Sequence, residues 1–345
     1  KGSDRNFSGD LALKGDMKMK RLFFVILGLV LMAGWFCGTE MTWAAEKYPA
    51  KPIIFLIPNE AGSSADMAAR ALCARLQDQL GQPVVATNKP GAGSSIGNRE
   101  LHNAKPDGYT IGMSTATIVM NKLQGLLPYD HNDYTVLGAY LNWAPAIVAS
   151  TKTKQPFNTI QEVFTAAKAK PGAVILSTGS VGQVWWVAAM DFIKKSGLKF
   201  NVVPQTSSSG AVVLQVAGGH ADIGITDVTA AKSQIDAGNM KVLALLGENR
   251  LPNYPNVPTM KELGHNCVTL STHLALAPPK LPNDIRETLL KAFEKAANGQ
   301  EYRDFLVKNN GVPSYMTPEA TTKWMNDQRE VYRELFREVG LLKEK

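Results

Sequence analysis

The sequence lacks the residue patterns that mark metalloproteins and common hydrolytic enzymes. Its five histidines do not occur at the spacings of metal ligands, and no Gly-x-Ser-x-Gly or His-Glu-x-x-His motif is present. Three cysteines occur in 345 residues, and two of them, Cys73 and Cys267, lie too far apart to define a disulfide framework. We therefore predict no metal site and no catalytic residues. We interpret Cys73 as a buried thiol, with a disulfide to Cys267 as the alternative.

Charge of one sign is not concentrated anywhere in the chain. Lys and Arg exceed Asp and Glu by 37 to 30, but the excess is spread out and is not interleaved with aromatic residues. Binding of nucleic acid normally requires a basic patch or stripe, so we predict no nucleic-acid partner. The mild positive balance is compatible with an anionic small molecule.

One long apolar run does occur, and it lies close to the N-terminus. Residues 17–21 (MKMKR) are basic, residues 22–37 are almost continuously apolar, and Thr42 and Ala44 place small residues before Ala45. This order is typical of a secretory signal peptide, whereas the run is short for a membrane span. We therefore predict that residues 1–44 form a leader that is removed, and that the mature protein is exported to the periplasm.

Four loops rich in Gly and Ser are the most informative local feature. Each follows a run that predicts a strand and precedes a pattern that predicts a helix; they are residues 58–66 (PNEAGSSAD), 88–97 (NKPGAGSSIG), 177–183 (STGSVGQ) and 204–211 (PQTSSSGA). The first turn of a helix has unpaired N–H groups and a partial positive charge, and Gly allows a ligand to approach the backbone. These loops therefore predict a binding site for a small anion such as a carboxylate.

Strand and helix patterns alternate along the rest of the chain, which predicts an α/β fold with parallel sheets and helices on both faces. Ligands of such sheets bind beyond the carboxyl ends of the strands, where all four loops are expected to lie. The chain has no fixed-period repeat and no low-complexity linker. We therefore expect two interwoven lobes, with the chain crossing between them twice.

The second loop could be mistaken for a dinucleotide-binding fingerprint. Its glycines, Gly91, Gly93 and Gly97, are spaced Gly-x-Gly-x-x-x-Gly, one residue longer than the fingerprint, and no acidic residue follows at the expected distance. We therefore predict no nucleotide cofactor and no other cofactor. A tight turn that uses glycine for backbone geometry alone is the alternative to anion binding.

A series of short motifs resembles one protein family. The motifs are, in chain order, YPAKPI (48–53), LGQPVV (80–85), NKPGAG (88–93), KPDGYT (105–110), LPYD (127–130), AKAKPG (167–172), VPTMKELG (257–264) and LAPP (276–279). Their order and spacing resemble the Bug/TctC family of periplasmic substrate-binding receptors of tripartite tricarboxylate transporters. The resemblance covers essentially the whole chain after the leader.

The resemblance implies a type II periplasmic binding protein, in which two α/β lobes close on a ligand held in the cleft between them. Lobe one would comprise residues 45–144 and 266–345, and lobe two would comprise residues 145–265. The resemblance also implies a carboxylate ligand and its delivery to the permease subunits of a membrane transporter, and we expect a monomer. The alternative functions are a secreted sensor subunit for the same ligand class and an α/β enzyme that acts on a small carboxylate.

Receptors of this family hold a carboxylate between the first two loops, using backbone N–H groups, hydroxyl groups and ordered water. We carry this arrangement over to the matching loops here and extend it to the polar residues of the two loops in lobe two and to Asp227, which follows the predicted strand at residues 222–226. The ligand-binding residues predicted in this way are Asn59, Gly62, Ser63, Ser64, Asp66, Gly91, Ala92, Gly93, Ser94, Thr178, Ser180, Gln183, Ser207, Ser208 and Asp227.

The sequence departs from the family pattern at points that concern specificity. The lysine that the family often has after the proline of the fourth loop is missing, so the loops of lobe two offer neutral groups. Glu60 and Asp227 would instead add negative charge near the cleft, although Asp227 could serve as a helix N-cap alone. One of the neighbouring Trp185 and Trp186 could face the ligand, or both could pack in the core. We therefore expect a monocarboxylate, an amino acid or an aromatic acid rather than a tricarboxylate.

Overall fold

The computed structural model describes residues 47–206 and 209–344. The predicted leader, residues 1–44, lies outside the described residues, and so do Ser207 and Ser208 of the predicted site. Within the described ranges, no helix is both long enough and apolar enough to cross a membrane.

The described chain forms eleven strands. They are β1 (Ile53–Ile57), β2 (Val84–Asn88), β3 (Thr110–Thr115), β4 (Thr135–Trp143), β5 (Pro145–Ser150), β6 (Ile175–Thr178), β7 (Asn201–Pro204), β8 (Ile223–Asp227), β9 (Met240–Leu245), β10 (Ser271–Ala277) and β11 (Val312–Met316).

Ten α-helices and one short 3₁₀ helix (His131–Asp133) connect these strands within the described ranges. The α-helices are α1 (Ser64–Leu80), α2 (Ser95–Asn103), α3 (Thr117–Leu123), α4 (Ile160–Ala169), α5 (Val184–Ser196), α6 (Ser209–Ala217), α7 (Val228–Asp236), α8 (Asn283–Asn298), α9 (Gln300–Lys308) and α10 (Pro318–Glu338). The helix α3 and the strand β11 are short, and no clear apolar period in the sequence marks them.

Several helix ends follow the capping chemistry of the sequence. The Ser63 hydroxyl accepts a hydrogen bond from the Asp66 amide at the start of α1, and Gly81 ends that helix in the left-handed conformation. Thr317 caps α10, which has Pro318 in its first turn. These helix ends therefore depend on residues that are close to one another in the sequence.

The strands form two separate mixed sheets. Sheet one has the order β11-β4-β10-β3-β1-β2, and sheet two has the order β7-β6-β8-β5-β9. The prediction of parallel sheets holds for β1 with β2 and β3 and for β6 with β7 and β8. It is wrong for the rest, because β10 runs antiparallel to β3 and β4, β11 runs antiparallel to β4, and β5 runs antiparallel to β8 and β9. The strand β5 is the first strand of sheet two, and β10 is the first strand after the chain returns to sheet one. Neither strand is joined by a crossover helix to a preceding strand of the same sheet, the connection that makes two strands parallel.

The chain passes from sheet one to sheet two at Ala144, between β4 and β5, and returns between β9 and β10. Each sheet has its own buried core, represented by Phe55 and Phe293 in sheet one and by Phe192 in sheet two. A further buried cluster joins Trp186 of α5 to Phe336 of α10, so apolar packing also connects the helices of the two sheets.

The two described cysteines are both buried and unpaired. Cys73 belongs to the core of sheet one and Cys267 to the core of sheet two. The interpretation of Cys73 as a buried thiol is confirmed, and the alternative of a disulfide with Cys267 is wrong.

Candidate ligand-binding site

A cavity of about 140 Å³ lies where the loops of the two sheets meet. Its walls come from the loops that follow β1, β2 and β3 in sheet one and β6 and β7 in sheet two, together with the end of β4 and the start of β10. The lining residues are Pro58, Asn59, Glu60, Ser63, Ser64, Ala65, Gly91, Ala92, Gly93, Ser94, Thr115, Thr117, Trp143, Gly179, Ser180, Gln183, Val184, Trp185, Thr206, Ser209, Ser271 and His273.

Most of the residues predicted from the sequence line this cavity. Four of them do not line it and instead support the loops around it: Gly62, Asp66, Thr178 and Asp227. The buried Thr178 hydroxyl donates a hydrogen bond to the Gly179 carbonyl at 3.0 Å, so it shapes the third loop. Gly62 adopts a left-handed conformation with a φ of 79°, which allows the first loop to turn.

The first loop presents free backbone donors at the start of α1. The amides of Ser64 and Ala65 donate no hydrogen bond to any residue in the part of the chain that the structure describes. Both residues line the cavity, and they lie at the positive end of the helix dipole. The loop can therefore stabilise a negative charge without a cationic side chain.

Asp66 holds this loop in place from behind. Its carboxylate accepts hydrogen bonds from the Gly62 amide at 2.9 Å, from Arg70 Nε at 2.9 Å and from Asn88 Nδ2 at 2.8 Å. Burial favours the neutral acid, but the hydrogen bonds from Arg70, Gly62 and Asn88 outweigh it and hold the pKa of Asp66 below its usual value. Because Asn88 ends β2, the ionised carboxylate ties the first loop to the second.

The second loop is a run of four residues in the left-handed region. The φ angles of Gly91, Ala92, Gly93 and Ser94 are 122°, 45°, 61° and 71°. Ala92 and Ser94 carry the strain that a side chain has in this conformation, which is common where backbone geometry serves function. Of the described residues, none accepts a hydrogen bond from the amides of these four residues. The Asn121 side chain braces the loop by donating to the Gly93 carbonyl at 3.0 Å.

The third loop meets the second across the cavity. A Cβ atom added to Gly93 would lie 2.6 Å from Nε2 of Gln183, so the loops of the two sheets are in close contact. The Gln124 side chain, which follows α3, donates a hydrogen bond to the Gly182 carbonyl at 3.0 Å. These contacts enclose the cavity on one side.

Asp227 connects the two sheets through hydroxyl groups. Its carboxylate accepts hydrogen bonds from the Ser64 hydroxyl at 3.2 Å and the Ser209 hydroxyl at 2.7 Å. It also caps α7 by accepting from the Ala230 amide at 2.8 Å. Burial raises the pKa of Asp227, although these hydrogen bonds oppose the increase. Asp227 is therefore an N-cap, as one reading of the sequence predicted, and it also binds the first loop from the opposite sheet.

The two neighbouring tryptophans have different environments. Trp185 is half-buried and lines the cavity, where its indole Nε1 donates a hydrogen bond to the Ser209 hydroxyl at 2.8 Å. Trp186 is buried in the cluster between α5 and α10. The question that the sequence left open is therefore decided by the direction of each side chain from α5.

Sequence reasoning missed a group of residues that line the cavity from outside the four Gly/Ser loops. These are Thr115, Thr117, Trp143, Ser271 and His273. Burial lowers the pKa of His273 to about 3, so its imidazole is neutral at ordinary pH. The strands β4 and β10 that carry Trp143 and His273 have no Gly/Ser loop, and no local sequence signal marks them.

The cavity has no cationic side chain among its described lining residues, whereas Glu60 contributes a carboxylate. Arg99 and Lys122 are basic but do not line it. Lys122 instead lies 3.3 Å from the buried Asp130, and Arg99 donates to the Leu126 carbonyl at 3.3 Å. Within the described ranges, no cluster of His, Cys, Asp and Glu has the geometry of a metal site.

Known proteins resemble this chain over most of its length. Protein BugT of Bordetella pertussis is 29% identical over 328 residues, which are 94% of this chain and 99% of the relative. A TctC solute-binding protein from Polaromonas, solved without ligand, is 28% identical with a TM-score of 0.67 and covers 84% of this chain and 99% of its own.

A more distant structure, Rpa4515 of R. palustris with adipate, is 21% identical with a TM-score of 0.78, covers 85% of this chain and 98% of its own, and shows a shared fold. The model of the tripartite tricarboxylate transporter family receptor matches residues 68–341. The matching family model is that of a transporter receptor, and the Polaromonas relative is a solute-binding protein. The resemblance noted in the sequence is therefore confirmed, and the chain belongs to the TctC family of tripartite tricarboxylate transporter receptors.

Proposed function

We propose that the protein captures a small organic acid with a single carboxylate group and delivers it to the permease of a tripartite transporter. The observation that carries this proposal is a cavity with free backbone amides on two loops and no cationic side chain among its described lining residues. Backbone amides at helix ends bind one carboxylate well. A second or third carboxylate would require charge that these walls do not supply.

The carboxylate would lie between the first two loops. The amides of Ser64 and Ala65 on one side and of residues 91–94 on the other are available as donors. The Ser94 side chain also lines the cavity and can add a hydrogen bond, directly or through water. The Ser63 hydroxyl already donates to the Glu60 carbonyl and accepts from the Asp66 amide, so it shapes the first loop. The predicted residues Asn59, Ser180 and Gln183 would contact the remainder of the ligand.

Two further properties favour a monocarboxylate. Glu60 at the wall places a carboxylate close to the ligand, which disfavours additional carboxylate groups. The cavity volume of about 140 Å³ is also small. A cavity of about 150 Å³ in another protein holds benzene, so a ligand about the size of one ring fits.

The two sheets would define two lobes that close on the ligand. We propose that lobe one contains residues 45–144 and 266–345, and that lobe two contains residues 145–265, since the chain changes sheets near these boundaries. Contacts such as Ser64 to Asp227 would form on closure. Small-angle scattering should give a smaller radius of gyration when ligand is added, and an equal radius at saturation would contradict the closing motion.

The signal-peptide pattern in residues 1–44 supports export and removal of that segment before the receptor functions in the periplasm. The permease subunits would be the membrane partners, and we expect the receptor to act as a monomer. An enzyme on the same fold would need a nucleophile with a base or a metal near the ligand. A turnover assay that detects chemical loss of the bound acid would overturn the receptor function.

A panel of acids in a thermal-shift assay tests the proposed ligand class. Ligands that bind the folded protein raise its melting temperature according to their concentration relative to Kd. The panel contains acetate, butyrate, benzoate, an amino acid, malate, adipate and citrate, each at the same concentration and pH. We expect a monocarboxylate to give the largest shift. A larger shift with citrate than with any monocarboxylate would contradict the charge argument.

A further inference from the structure

Three aromatic side chains from three different elements line the cavity. Trp143 ends β4, Trp185 lies in the first turn of α5, and His273 is in β10. They belong neither to the Gly/Ser loops nor to the groups that would hold the carboxylate. This aromatic wall, defined as Trp143, Trp185 and His273, therefore bears on the part of the ligand beyond its carboxylate.

The rings of the aromatic wall are held in fixed positions. Trp143 and His273 are 1% and 2% exposed, and their rings make an edge-to-face contact with centroids 6.4 Å apart at 74°. Tyr140 packs against His273 from behind at 6.0 Å and 88°. Trp185 is fixed by its hydrogen bond to Ser209, which in turn donates to Asp227. A wall of this kind requires little reordering when a ligand binds.

The aromatic wall is polar without being charged. Nε1 of Trp143 and Nδ1 of His273 are buried atoms without a hydrogen-bond partner among the described residues. His273 is held neutral because burial lowers its pKa to about 3. The wall therefore offers ring faces, ring edges and neutral polar atoms, but no cation to balance a second carboxylate.

We propose that the aromatic wall is a ring-binding subsite and that the ligand class is an aromatic monocarboxylate, represented by benzoate. This inference rests on the proposed function, since the carboxylate would occupy the amides of the first two loops. The ring then lies against Trp143, Trp185 and His273. Aromatic rings prefer offset or edge-to-face contacts with other rings, which gives an unsaturated ring an advantage over a saturated ring of similar size.

The experiment compares benzoate with cyclohexanecarboxylate, which has the same charge and a similar size but no aromatic face. Isothermal titration of the mature protein should show benzoate binding at least tenfold more tightly. Trp185→Leu should weaken benzoate binding about tenfold and change cyclohexanecarboxylate binding less than threefold. Trp185→Phe keeps a ring and should retain the preference for benzoate.

The matched control is Trp324→Leu, the same substitution at a half-buried tryptophan of α10 that does not line the cavity. It should leave both affinities unchanged. If Trp185→Leu does not fold, the preference of the unmodified protein between the two acids still decides the inference. Equal affinity for the two acids would overturn the subsite but leave the monocarboxylate receptor intact. Failure of every monocarboxylate to bind, with binding of citrate, would overturn both.

Discussion

Gly93→Val tests whether the second loop forms part of the ligand site. Gly93 has a φ of 61°, and a Cβ atom at this position would lie 2.6 Å from Nε2 of Gln183. Gln183 belongs to the loop of the opposite sheet, so this clash exists when the two loops meet around the cavity. The substitution should therefore act mainly against the arrangement that holds the ligand.

The magnitude follows from two separate costs. A left-handed conformation costs a residue with a side chain roughly 1–2 kcal/mol, and this cost falls on the bound and free protein alike. The contact with Gln183 adds a cost to the closed arrangement, reduced because the end of this side chain can move. We expect Kd to rise at least tenfold, which is about 1.4 kcal/mol of binding free energy. Isothermal titration with the best acid of the panel measures this change.

Gly172→Val is the matched control, because Gly172 has a φ of 83° and a Cβ atom there would meet no other atom within 4 Å. This variant should lose stability without losing affinity. Adding Gln183→Ala to Gly93→Val should restore part of the affinity by removing the clash. An unchanged Kd for Gly93→Val would remove the second loop from the site, and an equal loss in the control would refute the clash as the cause.

Two further substitutions test His273 in the wall of the site and Asp66 behind its first loop. Burial lowers the pKa of His273 to about 3 in the folded protein, so the unfolded chain takes up a proton on this residue at a higher pH than the folded protein does. The contribution of His273 to the free energy of unfolding is therefore complete above its ordinary pKa and is lost as the pH falls toward 3. Below about pH 6.5 the free energy of unfolding should fall by about 1.4 kcal/mol per pH unit because of this residue. Urea unfolding at pH 7 and pH 5 measures the fall, which should be smaller for His273→Gln than for the unmodified protein. An equal difference would show that His273 is not held neutral. Asp66→Ala leaves the donors of Gly62, Arg70 and Asn88 without their acceptor, and should cost about 1–3 kcal/mol of unfolding free energy and weaken ligand binding. Asp78→Ala, at an exposed position of α1, is its control, and an equally small effect of both substitutions would contradict the bracing role of Asp66.

The start of α1 was predictable because its chemistry is local. The Ser63 cap, the Gly62 turn and the free amides of Ser64 and Ala65 all lie within a few residues of one another. Steric limits on φ and ψ and the unpaired donors of a first helical turn depend on neighbouring residues alone. The same holds for the second loop, so an anion-binding site could be predicted from the sequence before the fold was known.

The directions of β5 and β10 within their sheets were not predictable from the local sequence. Alternation of strands and helices predicts parallel sheets, but β5 and β10 enter their sheets from the other sheet and run antiparallel to their neighbours. Nothing within either segment specifies its partner, because strand pairing depends on residues far away in the chain.

The sequence by itself determined the family, the alternation of strands and helices, and the backbone donors of the first two loops, because each depends on short-range order. The tertiary structure alone decided what surrounds those donors. It brings Trp143 and His273 into the cavity from β4 and β10, directs Trp185 but not Trp186 toward it, and pairs Lys122 with Asp130 outside it. These outcomes depend on contacts between distant segments, and packing fixes the direction of a side chain that its local sequence leaves open.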